Sequence, residues 1–500
     1  MPNDATDLIL VIDEGTTSTR AMLFATDGRC IASEARTLDQ SYPRPGWVEH
    51  DAAEIWRKTL RVTAAMVAQA GGAHRIAGIG ITNQRETVVV WDRKTGEPVH
   101  NAIVWQDRRT AKLCAQLKAD GNEPLVRERT GLILDPYFSG TKLKWILDEV
   151  EGVRARAERG ELAFGTIDSF LLWRLTGGKV HATDASNASR TLLFDIHKGA
   201  WDQDMLRMLD IPESLLPEVK DNSTIFGETT ADLLGKPVPI GGMAGDQQAA
   251  VVGQACFQRG DAKSTYGTGC FVLLNTGEEA VTSKNGMLTT IAYQLDGKIT
   301  YALEGSIFVA GAAVKWLRDG LGLINRAADT HDMSTKLDGN GGVYMVPAFV
   351  GLGAPHWDPD ARASITGLTF AATGSHIARA ALESVAYQTA DLMNAMVADG
   401  ARDARQIRVD GGMAANDWFC QFLADMLDTD VVRPANIETT AAGAAFLAGM
   451  AVGIWNGPDD IAATWKEDRI FTPAMTRDAR ASLMDGWQDA VDRTSSRKKP

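Results

Sequence analysis

Two strand–turn–strand segments, one in each half of the chain, constrain the fold most. The first, "LILVIDEGTTSTRAMLFA" (8–25), runs an apolar strand into an acid, turns at a glycine among hydroxyl residues, and returns through an arginine to a second apolar run. The second, "DAKSTYGTGCFVLLNTG" (261–277), repeats that plan half a chain later. Short apolar runs bounded by such turn residues read as buried strands. Their repetition predicts two similar halves facing one another. At 500 residues and 45% hydrophobic composition, the chain is also too long for a single core. The change of half is expected near "MAGDQQAAVVGQACFQRG" (243–260), which gives an N-terminal domain over 1–253 and a C-terminal domain over 254–500.

Strand and helix patterns alternate between these anchors, which predicts a layered α/β fold. "RIAGIGI" (75–81) and "TVVVW" (87–91) read as buried strands. A helix is expected after Asp51, with Glu54 completing a capping box and Ile55, Thr59, Val62 and Met66 facing inward. "TTAAGAAFLAGMAVGIW" (439–455) is uncharged, too short for a bilayer span, and reads as a buried helix. "EGSIFVAGAAVKWLRDG" (304–320) predicts a helix with Gly311 inside it and a stripe of Val309, Ala313, Trp316 and Leu317. In "IRVDGGMAANDWFCQFLADML" (407–427), a strand ends at Asp410. The helix after it carries Phe419, Phe422, Leu423 and Met426 on one face, and Asn416 serves either a ligand or its cap.

The two turns suit a phosphorylated ligand. Glycine turns present backbone N–H groups without side-chain obstruction, and phosphate oxygens need such donors close together. Thr16, Thr17 and Ser18 add hydroxyls and Arg20 a charge, whereas Asp13 suits Mg²⁺, which takes one or two carboxylates and keeps waters. GxxxxGK[ST] is absent, as is GxGxxG after a strand, so a P-loop or Rossmann site is not supported. The net charge of −13 argues against a nucleic-acid surface. Five cysteines without CxxC spacing fit reduced thiols better than disulfides or zinc. The start "MPNDATDLILVIDEG" has no leader pattern, and the tail "SSRKKP" is expected to be disordered.

Longer motifs carry a resemblance. "GITNQRETVVVW", "NAIVWQDRRT", "YFSGTKLKWILDE", "AGDQQAA", "TYGTGCF" and "ASITGLTFAATGSHIARAALE" follow one another in the order found in the FGGY carbohydrate kinases, which this chain resembles over nearly its whole length. That resemblance implies an α/β fold of two actin-like (ribonuclease H-like) domains with a cleft between them, ATP held mainly by the second and glycerol by the first. It implies phosphoryl transfer from ATP to glycerol, giving sn-glycerol 3-phosphate and ADP. Arg85, Glu86, Tyr137, Asp246 and Gln247 would bind glycerol, with Trp105 and Phe271 as its apolar wall. Thr16, Thr17, Ser18, Arg20, Thr268, Gly311, Gly412 and Asn416 would meet the nucleotide, Asp13 would help hold Mg²⁺, and Asp246 would act as general base.

Two positions depart from the family: Glu14 stands where Gln is usual in the first turn, and Lys315 replaces another Gln. Glu14 adds a negative charge beside the phosphates unless it points away or pairs with Arg20. A cytoplasmic homo-oligomer (dimer or tetramer) without a membrane span is expected. The alternatives are a kinase for another small polyol or ketose, and an actin- or Hsp70-like conformational ATPase, in which "NQRE" and "AGDQQ" would lack a purpose.

Overall fold

The computed structural model describes residues 8–496, apart from 359 and 403. Residues 1–7 of the expected leaderless start and 497–500 of the expected disordered tail lie outside the described residues. The first part of that tail is anchored rather than loose: the Ser496 amide and hydroxyl donate to Asp358 at 2.8 and 2.5 Å.

In the first half, β1 (Leu8–Glu14), β2 (Ser18–Ala25) and β3 (Cys30–Thr37) form an antiparallel meander. With β4 (Ile76–Asn83), β5 (Ser223–Glu228) and β6 (Pro239–Gly245) they make one sheet in the order β5-β6-β4-β1-β2-β3, in which β4 runs parallel to β1 and β6. The second half has β7 (Ala262–Tyr266), β8 (Cys270–Gly277), β9 (Leu288–Leu295), β10 (Lys298–Ile307), β11 (Gln406–Asp410), β12 (Asp430–Pro434) and β13 (Glu467–Phe471). Their order is β9-β10-β8-β7-β11-β12-β13, with β7, β11 and β12 parallel. Both sheets thus place a parallel strand beside the first strand of an antiparallel hairpin, β1–β2 in one and β7–β8 in the other, although the second sheet adds β10 next to β8 and β9 at its edge. The internal repeat read from the two turns is structural.

Helices cover the sheets. α1 (Ala52–Ala70) buries Ile55, Thr59, Val62 and Met66 against the face of β1 that carries Leu10 and Ile12. Asp51 caps it by accepting from the Ala53 N–H at 2.8 Å, but Glu54 ion-pairs with Lys58, so no capping box forms. The other face of β1, with Ile9 and Val11, belongs to the same core as α2 (Asp246–Gly253). In the second half, α3 (Gly311–Asp319) and α4 (Asp417–Leu427) bury Ala313, Leu317, Phe419, Phe422, Leu423 and Met426. α3 begins at Gly311, so that glycine is not mid-helix as expected, and Val309 lies before the helix.

The uncharged run forms the buried helix α5 (Thr439–Ala451), although it lies outside its own half's sheet. α5 pairs with α2 and packs on β1, β4 and β6, and the core around them also contains Leu273, Ala292 and Ala302 of the second sheet. Small residues are a geometric requirement here. A Cβ on Gly80 would run into the Ala444 carbonyl, and one on Gly443 into the Ala249 carbonyl. These two helices join the halves through a shared core.

Candidate active site

Strand alternation sends neighbouring acids of the first turn in opposite directions. Glu14 points away from the turn, toward α1, where it is fully buried and accepts from Thr59 Oγ1 at 3.1 Å. Burial pushes its carboxyl up to about 8, so it is neutral at pH 7 and adds no charge beside a phosphate. Lys315 is exposed on α3, one turn before Asp319, and has no Glu14 charge to offset. Because folded Glu14 keeps its proton while an unfolded one with the ordinary pKa of 4.5 loses it, stability falls as pH rises from about 4.5 to 8. Glu14→Gln is therefore expected to gain about 1–3 kcal/mol over the wild type at pH 8 and almost nothing at pH 4. Urea unfolding at the two pH values checks this; an equal effect at both would contradict it.

Asp13 leaves β1 on the opposite side and lies across from Arg20 in the β1–β2 register. Both Arg20 bonds to it reach Oδ2, from Nη2 and, at 3.0 Å, from Nε, while Arg20 Nη1 donates to Glu438 at 2.8 Å. Arg20 is therefore held between two acids, one from each half of the chain. Asp13 Oδ1 accepts no hydrogen bond among the described residues, which leaves one carboxylate oxygen fit for a hydrated Mg²⁺. No group of three or more His, Cys, Asp or Glu is placed to hold a metal among the described residues, so the phosphates and water would complete such a site. In the turn itself the Gly15 N–H donates to the Ser18 carbonyl at 3.0 Å, Thr17 is exposed, and Thr16 Oγ1 accepts from Trp105 Nε1 at 2.9 Å.

The second turn is braced by α3. The Gly267 carbonyl accepts from the Gly311 N–H at 2.9 Å, and the Thr268 carbonyl from the Ala310 and Ala312 N–H groups at 2.9 and 3.0 Å. A Cβ on Gly311 would lie 2.6 Å from the Gly267 oxygen. Gly311 thus shapes the turn, its own amide being taken by the Gly267 carbonyl. Thr268 is exposed, and the space beside Gly412 is open, with no atom within 4 Å of a Cβ placed there. Asn416 caps α4: its Oδ1 accepts from the Phe419 N–H at 3.1 Å and its Nδ2 donates to Thr330 at 3.3 Å.

Beyond β4, the "NQRE" segment turns through Glu86 at φ 62°, which brings Arg85 and Glu86 into one buried cluster. Arg85 donates to both oxygens of Glu304 on β10, at 2.5 and 2.9 Å, and to Gln248 at 3.2 Å. Arg190 donates to Glu86 Oε1 at 2.6 Å and to Glu304 at 3.0 Å. These four buried charges sum to zero and cross from one half to the other. The two guanidinium groups hold the Glu304 carboxyl down at about 2. Tyr137 accepts from Arg85 at 3.4 Å and packs edge-on against Trp105, with ring centres 5.7 Å apart, while Arg85 lies 5.9 Å from the Phe271 ring.

Asp246 opens α2 with its carboxylate 3.3 Å from Arg85 Nε. The side chain is 34% exposed, its Oδ1 accepts from the Gln247 N–H at 2.7 Å, and Oδ2 takes no hydrogen bond among the described residues. Loss of water raises its pKa, and Arg85 and Lys263 oppose that. Lys263, fully buried on β7, donates to Gln247 Oε1 and to Thr265 at 3.0 Å. The structure therefore brings Arg85, Glu86, Trp105, Tyr137, Asp246, Gln247 and Phe271 together. Sequence reasoning missed Arg190, Glu304, Lys263, Gln248 and Glu438. A charge inside an apolar strand, as in "YALEGSIF", was the one signal available for Glu304.

Comparisons with known proteins agree with this geometry. The model of the FGGY family of carbohydrate kinases, N-terminal domain, matches residues 8–253, and that of the C-terminal domain matches 262–452. The chain is 60% identical over 494 residues to a glycerol kinase of Gluconobacter oxydans, covering 99% of this chain and 96% of that one. It is 62% identical over 490 residues to a glycerol kinase of Methylobacterium nodulans, covering 97% and 98%. A crystal structure of Plasmodium falciparum glycerol kinase with ADP superposes with a TM-score of 0.93 at 38% identity, covering 98% and 99%. With two α/β domains of this topology and both family models matched along its length, the chain belongs to the FGGY family of carbohydrate kinases.

Proposed function

We propose that this protein transfers the γ-phosphoryl group of ATP to glycerol, giving sn-glycerol 3-phosphate and ADP. The observation that carries this reading is Asp246, a carboxylate with a free oxygen, set against Arg85 in a small charged pocket joined to both glycine turns. The similarity to glycerol kinases, one of them solved with ADP, supports the same reaction.

A triol presents only hydroxyls, so its recognition requires fixed donors and acceptors. Glu304 and Gln248 hold the Arg85 fork in place, and Arg190 takes Glu86 Oε1, leaving Oε2 to accept from a glycerol hydroxyl. Lys263 occupies Gln247 Oε1 and leaves its Nε2 as a donor. Trp105 and Phe271 face the carbon chain. Asp246 Oδ2 takes the proton from the attacking hydroxyl as it meets the γ-phosphoryl group. The two turns, through Thr16, Thr17, Ser18 and Thr268, cradle the phosphates, and Gly412 leaves room for the nucleotide. Bound Mg²⁺, held in part by Asp13, would neutralise charge on the phosphate oxygens. We place the domain boundary at 253/254, the end of α2, and read the protein as a cytoplasmic homo-oligomer. No helix among the described residues is long and apolar enough to cross a membrane.

A coupled ADP-release assay over glycerol, dihydroxyacetone, erythritol, xylulose and gluconate tests the reaction. Glycerol should give the highest kcat/KM; turnover independent of any polyol would point instead to a conformational ATPase. Arg85→Ala should cost about 1.5–3 kcal/mol, the range for hydrogen bonds to a charged group, and should appear in glycerol kcat/KM. Loss of ATP binding with an unchanged glycerol KM would remove Arg85 from the acceptor side.

A further inference from the structure

On the outer side of the first half, away from the residues assigned to glycerol and ATP, a cavity of about 240 Å³ lies between the "DRKTG" turn and the end of the helix Ile167–Leu175. Arg93, Lys94, Trp173, Arg174, Gly177 and Gly178 line it. For a chain of net charge −13, three cations around one small cavity are unusual.

Arg93 has no carboxylate partner among the described residues. Its Nε donates to the Leu162 carbonyl at 2.9 Å, and its Nη2 to the Ser214 carbonyl at 2.8 Å and to His181 Nδ1 at 3.2 Å. Burial lowers the pKa of His181 to about 4, so this acceptor is neutral, and its other nitrogen donates to the Phe164 carbonyl at 2.8 Å. Nη1 of Arg93 is left over. Arg174 donates only through Nη1, toward the Gly96 carbonyl at 3.0 Å and Glu97 at 3.4 Å, while its guanidinium packs over the Trp56 ring at 5.2 Å, so Nε and Nη2 make no hydrogen bond among the described residues. Lys94 Nζ and the Trp173 indole N–H likewise find no acceptor among the described residues.

The nearby acids do not balance this set. Asp92 is turned to the Lys94 and Thr95 amides and to Arg156, and Glu97 is largely exposed and reaches only the one nitrogen of Arg174. Unused side-chain donors on three cations around one small cavity fit a tetrahedral oxoanion.

We propose that this cavity is a binding site for phosphate or for the phosphoryl group of a small phosphate monoester. Equilibrium dialysis with labelled inorganic phosphate tests it, using the full chain with glycerol and the β,γ-imido analogue of ATP present to fill the cleft. One saturable equivalent is expected, and Lys94→Gln combined with Arg174→Gln should weaken it by at least about tenfold. Turnover at saturating glycerol and ATP should stay unchanged. Lys94→Gln alone, at an exposed position, serves if the double variant does not fold, and should weaken binding in the same direction. Displacement of the label by glucose 6-phosphate more tightly than by phosphate identifies a monoester as the ligand, and equal displacement identifies phosphate itself. Absence of saturable binding, or binding of the same strength in the variants, overturns the proposal.

Discussion

Replacing Asp246 by Asn should lower kcat by about 10²–10⁴, the usual contribution of a positioned general base. Asn keeps the size of the side chain and can still accept from the Gln247 N–H, but it cannot take the proton of the attacking hydroxyl. The ATP KM should change little, since among the described residues the polar partners of Asp246 are Arg85 and Gln247 and lie in neither glycine turn. The pKa of Asp246 is raised above its ordinary 3.8, so the wild-type rate should fall on mild acidification as this carboxylate is protonated. The variant should lose that limb of the pH–rate profile. A near-normal kcat in Asp246→Asn, with the acid limb intact, would assign the proton to another group.

Glu304→Ala should destabilise the protein by about 3–5 kcal/mol, because it leaves the buried Arg85 and Arg190 guanidinium groups without their shared acid. The glycerol KM should rise as well, since Arg85 would lose the partner that holds its fork. Folded Glu304 has a carboxyl near 2, below its ordinary 4.5, so the stability it contributes is present above about pH 4.5 and is lost as pH falls toward 2. The difference between variant and wild type in urea unfolding should therefore shrink on acidification. A loss below about 1 kcal/mol at pH 7 would mean that the cluster relaxes into water rather than remaining buried.

Much of the site was legible because its residues act through local geometry. Arg85 and Glu86 are adjacent, Asp246 and Gln247 begin one helix, and each glycine turn is a continuous segment. Three positions were decided by contacts that the sequence does not show. Gly311 reads as a helix interior from periodicity, yet the Gly267 carbonyl takes its amide and sets the helix start there. Arg20 reads as a phosphate donor, and the structure shows it held between Asp13 and Glu438, the latter far away in the chain. Glu14 reads as an added charge unless it points away, and the pleat does turn it to α1, where burial removes that charge.

The sequence by itself determined the duplicated α/β plan, the buried character of α5 and the place of the two turns, because strand period, apolar runs and turn residues are local properties. Only the tertiary structure decided which half α5 covers, that Glu304 from β10 completes the pocket around Arg85, and which polar groups remain unpaired. Each of these depends on groups far apart in the chain meeting in a dehydrated core. There a charge is stable only beside its partner, and a helix reaches the sheet only where glycine leaves room.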